Sequence, residues 1–375
     1  MDFTWSPEEA ELSRRAREVA ADAVRRYGAH TDAWMNGFSK AFSKELAALG
    51  WIGMSWPAEF GGGGKSAVNR FLVSEAMLEA GAPVAATWFA DRQIGPSLIS
   101  FGTDEQRRRF LPGILSGETT WCIGMSEPGA GSDVASLRTR ATRAGDRWIV
   151  NGQKIWTSFA VQADFCYLIC RTGAEPTGHR GISELIVAMD SPGITVRPIR
   201  DLAGGEHFCE VFFDDVEVPA DHLVGTEGGA FSQTMRQLEH ERGGIDRLFS
   251  NRMLYLQARG RADRSRPAVR AQVAQLETQY HVGRLMVVRE ALRQGPRGFS
   301  AVTKAFCTFH EQRVADFVWN TLGLEALTWD LLGRGLAYSP SYTIMGGTNE
   351  ILRNIIAERM LGLPREPLPP AVGSH

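Results

Sequence analysis

No stretch of this 375-residue chain approaches the ~20 consecutive apolar residues that a membrane-spanning helix needs. The opening segment also lacks the basic start and apolar core of a secretory signal, so a cytoplasmic protein away from the membrane is expected. Cysteine is sparse. Cys122, Cys166, Cys170, Cys209 and Cys307 are an odd number without CxxC spacing, which excludes a disulfide framework and predicts buried free thiols. Cys166 and Cys170 share one face of a predicted strand, but no metal is expected there. Surplus charge is missing too: 41 Lys+Arg against 43 Asp+Glu leave a net charge of −2, which excludes the basic footprint of nucleic-acid binding. With 43% hydrophobic and 22% charged residues, the chain is a folded one sized for two or three domains.

What is present divides into three. The first third carries helical signals: a capping box at Ser6 and Glu9 with Pro7 in the first turn, a second at Thr103 and Gln106, and helical apolar spacing over 39–50 and 68–80. Pro112-Gly113 is expected to end the second capped helix. From Trp121 to about Gly225 short alternating runs predict strands at 137–143, 148–150, 165–170, 184–189, 194–196 and 211–213. Asn151-Gly152 is expected to form a type I′ hairpin turn. After Gly228-Gly229 helical spacing returns near 230–258, 268–294, 299–334 and 349–361, with breaks from Arg259-Gly260 to Pro267 and at Gly295 to Gly298. The expected fold is α+β and multidomain: helical at 1–118, a β-barrel or sandwich at 119–226, a helical bundle at 227–363, and a proline-rich disordered tail at 364–375.

Three stretches bear on chemistry. Gly61 to Gly64 with Lys65-Ser66 has the look of a phosphate loop. That motif needs Gly where Glu59 stands and a strand where Trp51 to Phe60 is turn-rich, so a flexible surface turn is expected instead. Gly124 to Asp133 gathers small residues, hydroxyls and a carboxylate in a loop leaving a strand. Such a loop suits an anion or a flat ring, though an ordinary inter-strand loop has the same composition. Trp156 and Ser158, two apart on one predicted strand face, could cover an aromatic cofactor and address a ring nitrogen; a core tryptophan is the alternative.

The run Met125-Ser126-Glu127-Pro128-Gly129-Ala130-Gly131-Ser132-Asp133, followed by Asn151-Gly152-Gln153-Lys154-Ile155-Trp156-Thr157-Ser158, closely resembles the acyl-CoA dehydrogenases. Met345 to Arg353 with Leu361-Gly362-Leu363-Pro364 resembles the flavin-contacting end of that family, so the likeness spans nearly the whole chain. The resemblance implies a middle β-barrel and a C-terminal four-helix bundle with FAD held noncovalently between them, and an acyl-CoA substrate. It implies that Met125 and Ser126 contact the flavin ring, that Gly131 and Ser132 lie near the pyrophosphate and the acyl-CoA, and that Trp156 covers the isoalloxazine. Ser158, where the family commonly has Thr, would hydrogen-bond near flavin N5, and Gly347, Thr348, Asn349 and Glu350 would open the last helix against the FAD of a neighbouring subunit. Unpaired amides at a helix start suit phosphate on independent grounds. An electron-transfer flavoprotein as acceptor and a homodimer, homotetramer or heteromeric assembly are also implied.

Dehydrogenation of a thioester needs a base for the Cα proton and donors around the thioester oxygen. Many family members place a Glu just before the final Gly-Thr turn, where this chain has Gly346. Isovaleryl and long-chain types carry it on the first long helix of the bundle, immediately before an Arg, and Glu241-Arg242 stands here. Leu238, Glu241, Ile245 and Leu248 recur at helical spacing, placing Glu241 in an apolar stripe that would raise its pKa, while Glu239, His240, Asp246 and Arg247 are expected in solvent. The resemblance makes Glu241 the expected base, with Arg242 holding the base region or the CoA and the Gly346 N–H donating to the thioester oxygen; the alternatives are a surface carboxylate on an arginine-rich helix for Glu241 and a surface ion pair with Glu239 for Arg242. The family's Arg-x-Gln-Phe-Gly segment is replaced by Ala258 to Gln272, whose five arginines serve phosphates or are simply solvated. Its usual Gly-Gly-x-Gly is replaced by Leu322 to Ala326, so the cross-subunit adenine contacts have lost their usual residues. Two further readings fit: a noncatalytic or half-active chain of a heteromeric dehydrogenase, and a related flavin oxidase or desaturase of carrier-bound acyl groups.

Overall fold

The computed structural model describes residues 4–173, 178–231, 233, 244–328 and 330–365. Helix Pro7–Tyr27 opens with the predicted box: the Ser6 hydroxyl accepts from Glu9 N and the Glu9 carboxylate from Ser6 N. The Thr103–Gln106 box forms as well, and buried Gln106 donates onward to Asp221 O and Leu223 O at 2.6 and 2.8 Å, which ties the helical domain to the strands. One boundary differs. Helix Asp104–Leu115 runs through Pro112, which removes one i→i−4 bond near the end of the helix, and the chain turns instead at Gly117 with φ 70°. The glycine run at 61–64 is a built turn, since Gly62, Gly63 and Gly64 donate to Pro57, Gly53 and Trp56 carbonyls and a Cβ at Gly62 would stand 2.3 Å from Trp56 O.

Eight strands follow: β1 (Trp121–Gly124), β2 (Arg140–Ala144), β3 (Arg147–Lys154), β4 (Phe165–Arg171), β5 (Ile182–Ala188), β6 (Ile194–Ile199), β7 (Phe208–Pro219) and β8 (Leu223–Val224). They form one sheet in the order β6-β7-β3-β2-β4-β5-β8, with β1 parallel to β4. The expected turn at Asn151-Gly152 is absent: β3 runs through it, and the β2–β3 hairpin closes at Gly145-Asp146. Gly152 serves close approach, because a Cβ would lie 2.6 Å from Thr139 Oγ1, and Asn151 exchanges two hydrogen bonds with Asp215 beside a bulge. All five cysteines are free and buried.

The bundle contains Arg252–Arg261, Pro267–Ala291 and Phe299–Leu322. The single helix expected over 299–334 divides at Gly323, φ 54°, into a 3-10 stretch Gly323–Leu327 and helix Leu331–Tyr338. The expected 230–258 helix is interrupted too, since Asp246–Phe249 is a short helix separated from Arg252 by a turn at Ser250-Asn251. Arg259-Gly260 is helical, so that break begins at Ala262. No helix among the described residues is long and apolar enough to cross a membrane.

Helix Ala67–Ala80 of the first domain docks on the bundle through a bidentate ion pair, Arg284 Nε and Nη2 with buried Glu75 at 2.5 and 3.0 Å. Removing the guanidinium alone strands a buried carboxylate, so Arg284→Met is expected to destabilise by ~3–5 kcal/mol, and Glu75→Met/Arg284→Met to recover most of that loss. Denaturant unfolding of the two variants checks it; equal losses would show that packing rather than charge pairing joins the domains.

Candidate active site

Trp148, Val150 and Lys154 share one parity along β3 and all are buried, so the strand delivers an ammonium group to the interior. Lys154 Nζ donates to Met125 O and to Glu127 Oε1, each at 2.9 Å. Glu127 also accepts from Arg138 N at 2.7 Å and Thr139 N at 2.8 Å. Burial alone would raise the Glu127 pKa, but Lys154 and the N–H donors outweigh it and hold the carboxyl below its usual range. Burial pulls the Lys154 ammonium down, with Glu127 opposing. The pair pins the loop that follows β1, and Ile155 N reaches Ser126 O at 2.9 Å. Met125 and Ser126 are consequently half-buried, while Gly131 and Ser132 are exposed at the loop tip.

Past Lys154 the chain leaves the strand. Trp156 adopts φ 61°, so Trp156 and Ser158 do not share a strand face as expected. Thr157 N binds Cys209 O at 3.0 Å and Phe159 N binds His207 O at 2.7 Å. Thr157 therefore points inward, its buried hydroxyl without a hydrogen-bond partner among the described residues, while Trp156 stands 54% exposed and Ser158 is half-buried.

An aromatic row leads from Trp156 to the other motif. Its ring meets Phe208 edge-on at 5.7 Å, Phe208 lies parallel to Tyr338 at 6.5 Å, and Tyr338 Oη is 3.4 Å from His207 Nε2 and 3.5 Å from Met345 Sδ. Gly346 and Gly347 follow with φ 63° and 90°, and their N–H groups make no hydrogen bond among the described residues. Fully buried Lys304 holds this turn, donating to Gly347 O at 2.8 Å and Asn349 Oδ1 at 3.0 Å. Thr348 caps helix Asn349–Ile355 by accepting from Ile351 N at 3.3 Å, Glu350 is exposed, and the buried Asn349 Nδ2 has no partner among the described residues.

Glu241 and Arg242 lie outside the described residues. The segment after them corrects part of the expectation. Ile245 and Leu248 are buried as the spacing predicts, but Asp246 and Arg247, expected in solvent, are 2% and 4% exposed. Each finds a partner inside: Arg92 Nη2 stands 3.2 Å from Asp246 Oδ1, Arg247 Nε stands 3.1 Å from Asp246 Oδ2, and the Arg247 guanidinium lies 4.9 Å from the Trp34 ring centre. Tyr342 Oη donates to Asn251 Oδ1 at 3.0 Å, linking this segment to the turn before Gly346. Arg259 is paired with Glu277 at 2.6 Å, while Arg261 is exposed and stands 3.3 Å from an exposed Glu325. Sequence reasoning missed Lys154, Glu127, Lys304, His207 and Tyr338; only the inward parity of Lys154 on β3 was a usable signal.

The aromatic row thus links an exposed indole, next to the anchored small-residue loop, to a glycine turn whose two N–H groups are uncommitted among the described residues, and the buried Thr157 hydroxyl and Asn349 amide also lack partners among those residues. Three family models, described as the N-terminal, middle and C-terminal domains of acyl-CoA dehydrogenase, match residues 6–118, 122–216 and 229–361. The chain is 38% identical over 342 residues to acyl-CoA dehydrogenase IpdE1 of Mycobacterium tuberculosis (87% of this chain, 88% of that protein). It is 32% identical over 400 residues to acyl-CoA dehydrogenase FadE26 of the same organism (97% and 99%). Among solved structures, the Tcur3481-Tcur3483 steroid acyl-CoA dehydrogenase superposes with TM-score 0.88 at 30% identity, covering 98% of this chain and 100% of that one. The ChsE4-ChsE5 complex from Mycobacterium tuberculosis superposes with TM-score 0.85, also at 30% identity and with the same coverage. The chain belongs to the acyl-CoA dehydrogenase family, whose members are flavoprotein oxidoreductases of lipid metabolism.

Lys154→Met leaves Glu127 buried without its cation and is expected to cost ~3–5 kcal/mol and to lower flavin content, read as flavin absorbance per chain after purification. Full flavin content at unchanged stability would remove the anchoring role. His207 supplies a pH test. Burial pulls its imidazole from 6.5 down to about 4, with Asp201, 3.9 Å away, opposing. A folded state that resists protonation is stabilised above the unfolded value and loses that contribution as pH falls, here on the order of 3 kcal/mol between 6.5 and about 4. The Tm difference between wild type and His207→Gln should shrink across that window; a constant difference would contradict the assignment.

Proposed function

We propose that this chain, with FAD bound, converts an acyl-CoA thioester to the trans-2-enoyl-CoA, with Glu241 removing the α proton. The supporting observation is the connection of two motifs far apart in sequence through Trp156, Phe208, Tyr338 and Met345. FAD supplies the hydride acceptor. The chain's own residues position and polarise: Trp156 covers the ring, Ser158 hydrogen-bonds near the accepting nitrogen, and Met125 and Ser126 line the ring edge. Gly131 and Ser132 lie toward the pyrophosphate and the acyl-CoA, and Gly347, Thr348 and Glu350 face FAD at the start of the last helix. The Gly346 N–H donates to the thioester oxygen, where negative charge grows as the α proton leaves. Arg242 holds the base region or the CoA. An electron-transfer flavoprotein is the proposed acceptor, and the domains are taken as 1–118, 119–226 and 227–363.

A second reading is that the chain works as one component of a heteromeric dehydrogenase. Arg259 and Arg261, in the segment expected to reach a partner's cofactor, are engaged in ion pairs within the chain. One similar solved structure is itself named as a two-component complex. Purification with a second polypeptide needed for turnover supports this reading; full activity of the chain alone discards it.

Glu241→Gln should retain flavin absorbance and lose ~10²–10⁴-fold in kcat with acyl-CoAs and a dye acceptor. Undiminished turnover in that variant would reject the base, and hydrogen peroxide without enoyl product would replace dehydrogenation with an oxidase reaction.

A further inference from the structure

A cavity of about 630 Å³ opens between helix Ala67–Ala80, the 85–101 helix and the bundle, and Gly244 and Ile245 in its wall follow closely on Glu241 in sequence. Its volume falls within the range of small-molecule sites and far exceeds that of one water. Trp56, Phe71, Ile99 and Val287 give it apolar walls. The glycine run at 61–64, which has no part in either motif loop, shapes one of these: Gly62 lets the turn close on Trp56, and Gly95 lets the Trp56 ring lie where a Cβ would be 2.0 Å away.

The polar part of the lining is one-sided. Lys65, Arg70, Arg92 and Arg293 border the cavity, against Glu290 as the sole carboxylate among the described lining residues. Arg70 is held by Asp91 at 2.9 Å and Arg92 by Asp246 at 3.2 Å. Lys65 and Arg293 make no side-chain ion pair or hydrogen bond among the described residues. The 85–101 helix relaxes to π geometry over Ala90–Ile94, the turn that carries both Asp91 and Arg92, a local distortion that re-aims side chains at functional sites. Apolar walls with an excess of cations suit an amphipathic anion whose body is buried and whose charge ends at the guanidinium and ammonium groups.

We propose that this cavity receives the far end of the acyl group and selects thioesters whose bulky apolar body ends in a carboxylate, an inference that rests on the acyl-CoA dehydrogenase reading above. The test uses the flavin-loaded enzyme, a dye acceptor, and two CoA thioesters of one cyclohexane-bearing acid that differ only by a carboxyl group on the far side of the ring. The wild type should favour the carboxylated thioester at least tenfold in kcat/KM, and Lys65→Met/Arg293→Met should bring that ratio close to one. A ratio near one in the wild type, or one unchanged in the double variant, overturns the proposal. If neither thioester is oxidised, the reading of the chain as a dehydrogenase that works alone on such thioesters fails, and calorimetric titration with the carboxylated thioester decides the cavity separately. Binding tenfold tighter to wild type than to the double variant sustains it, and equal binding overturns it. Free CoA showing the same loss would assign these cations to its phosphates and also overturn it.

Discussion

A buried ammonium is tolerable only where oxygens accept its hydrogen bonds, and two such groups fix the two motif loops. Lys154 binds Met125 O and Glu127, and Lys304 binds Gly347 O and Asn349 Oδ1. Each lysine arrives from a regular element, a strand in one case and a helix in the other, and each takes its acceptors from an irregular loop. Desolvation of a charge costs several kcal/mol unless such bonds are made. The loops consequently have little freedom: releasing either one strands a cation in the core. The shapes of both loops are thereby set by the fold's own electrostatics.

The joint between the loops is apolar and stepwise. Trp156, Phe208 and Tyr338 pass from the β domain to the bundle, and Tyr338 ends against Met345. A shift of the bundle would therefore move Gly346 and Trp156 relative to one another. The Arg92–Asp246–Arg247 group instead uses charge to join the first domain to the segment that follows Glu241.

Local signals were legible wherever a short stretch decides its own conformation. Both capping boxes, the 39–50 and 68–80 helices and the 165–170 strand needed only neighbours in sequence. The failures share a cause. Asn151-Gly152 has hairpin chemistry, but Thr139 passing beneath Gly152 and Asp215 beside Asn151 supply a long-range use for the same residues. Asp246 and Arg247 look like a solvated face until Arg92 and Trp34 come in from the first domain. Lys304 gave no apolar periodic signal, because the buried face of helix Phe299–Leu322 mixes Ser300, Thr303, Thr308 and Glu311 with its apolar residues. The motifs marked the family, whereas the groups that hold their loops in place depend on partners that no local window contains.

The glycine at 346 belongs to the same logic. Its φ of 63° falls in the left-handed region, which costs an ordinary side chain ~1 kcal/mol or more and glycine almost nothing. With Lys304 fixing Gly347 O and Asn349 from below, the turn has no slack with which to relieve a substituent. A carboxylate placed at 346 would carry that strain and narrow the approach to two backbone N–H groups suited to an oxyanion. The Ile245–Asn251 segment is itself held at both ends, by Arg92 at Asp246 and by Tyr342 at Asn251.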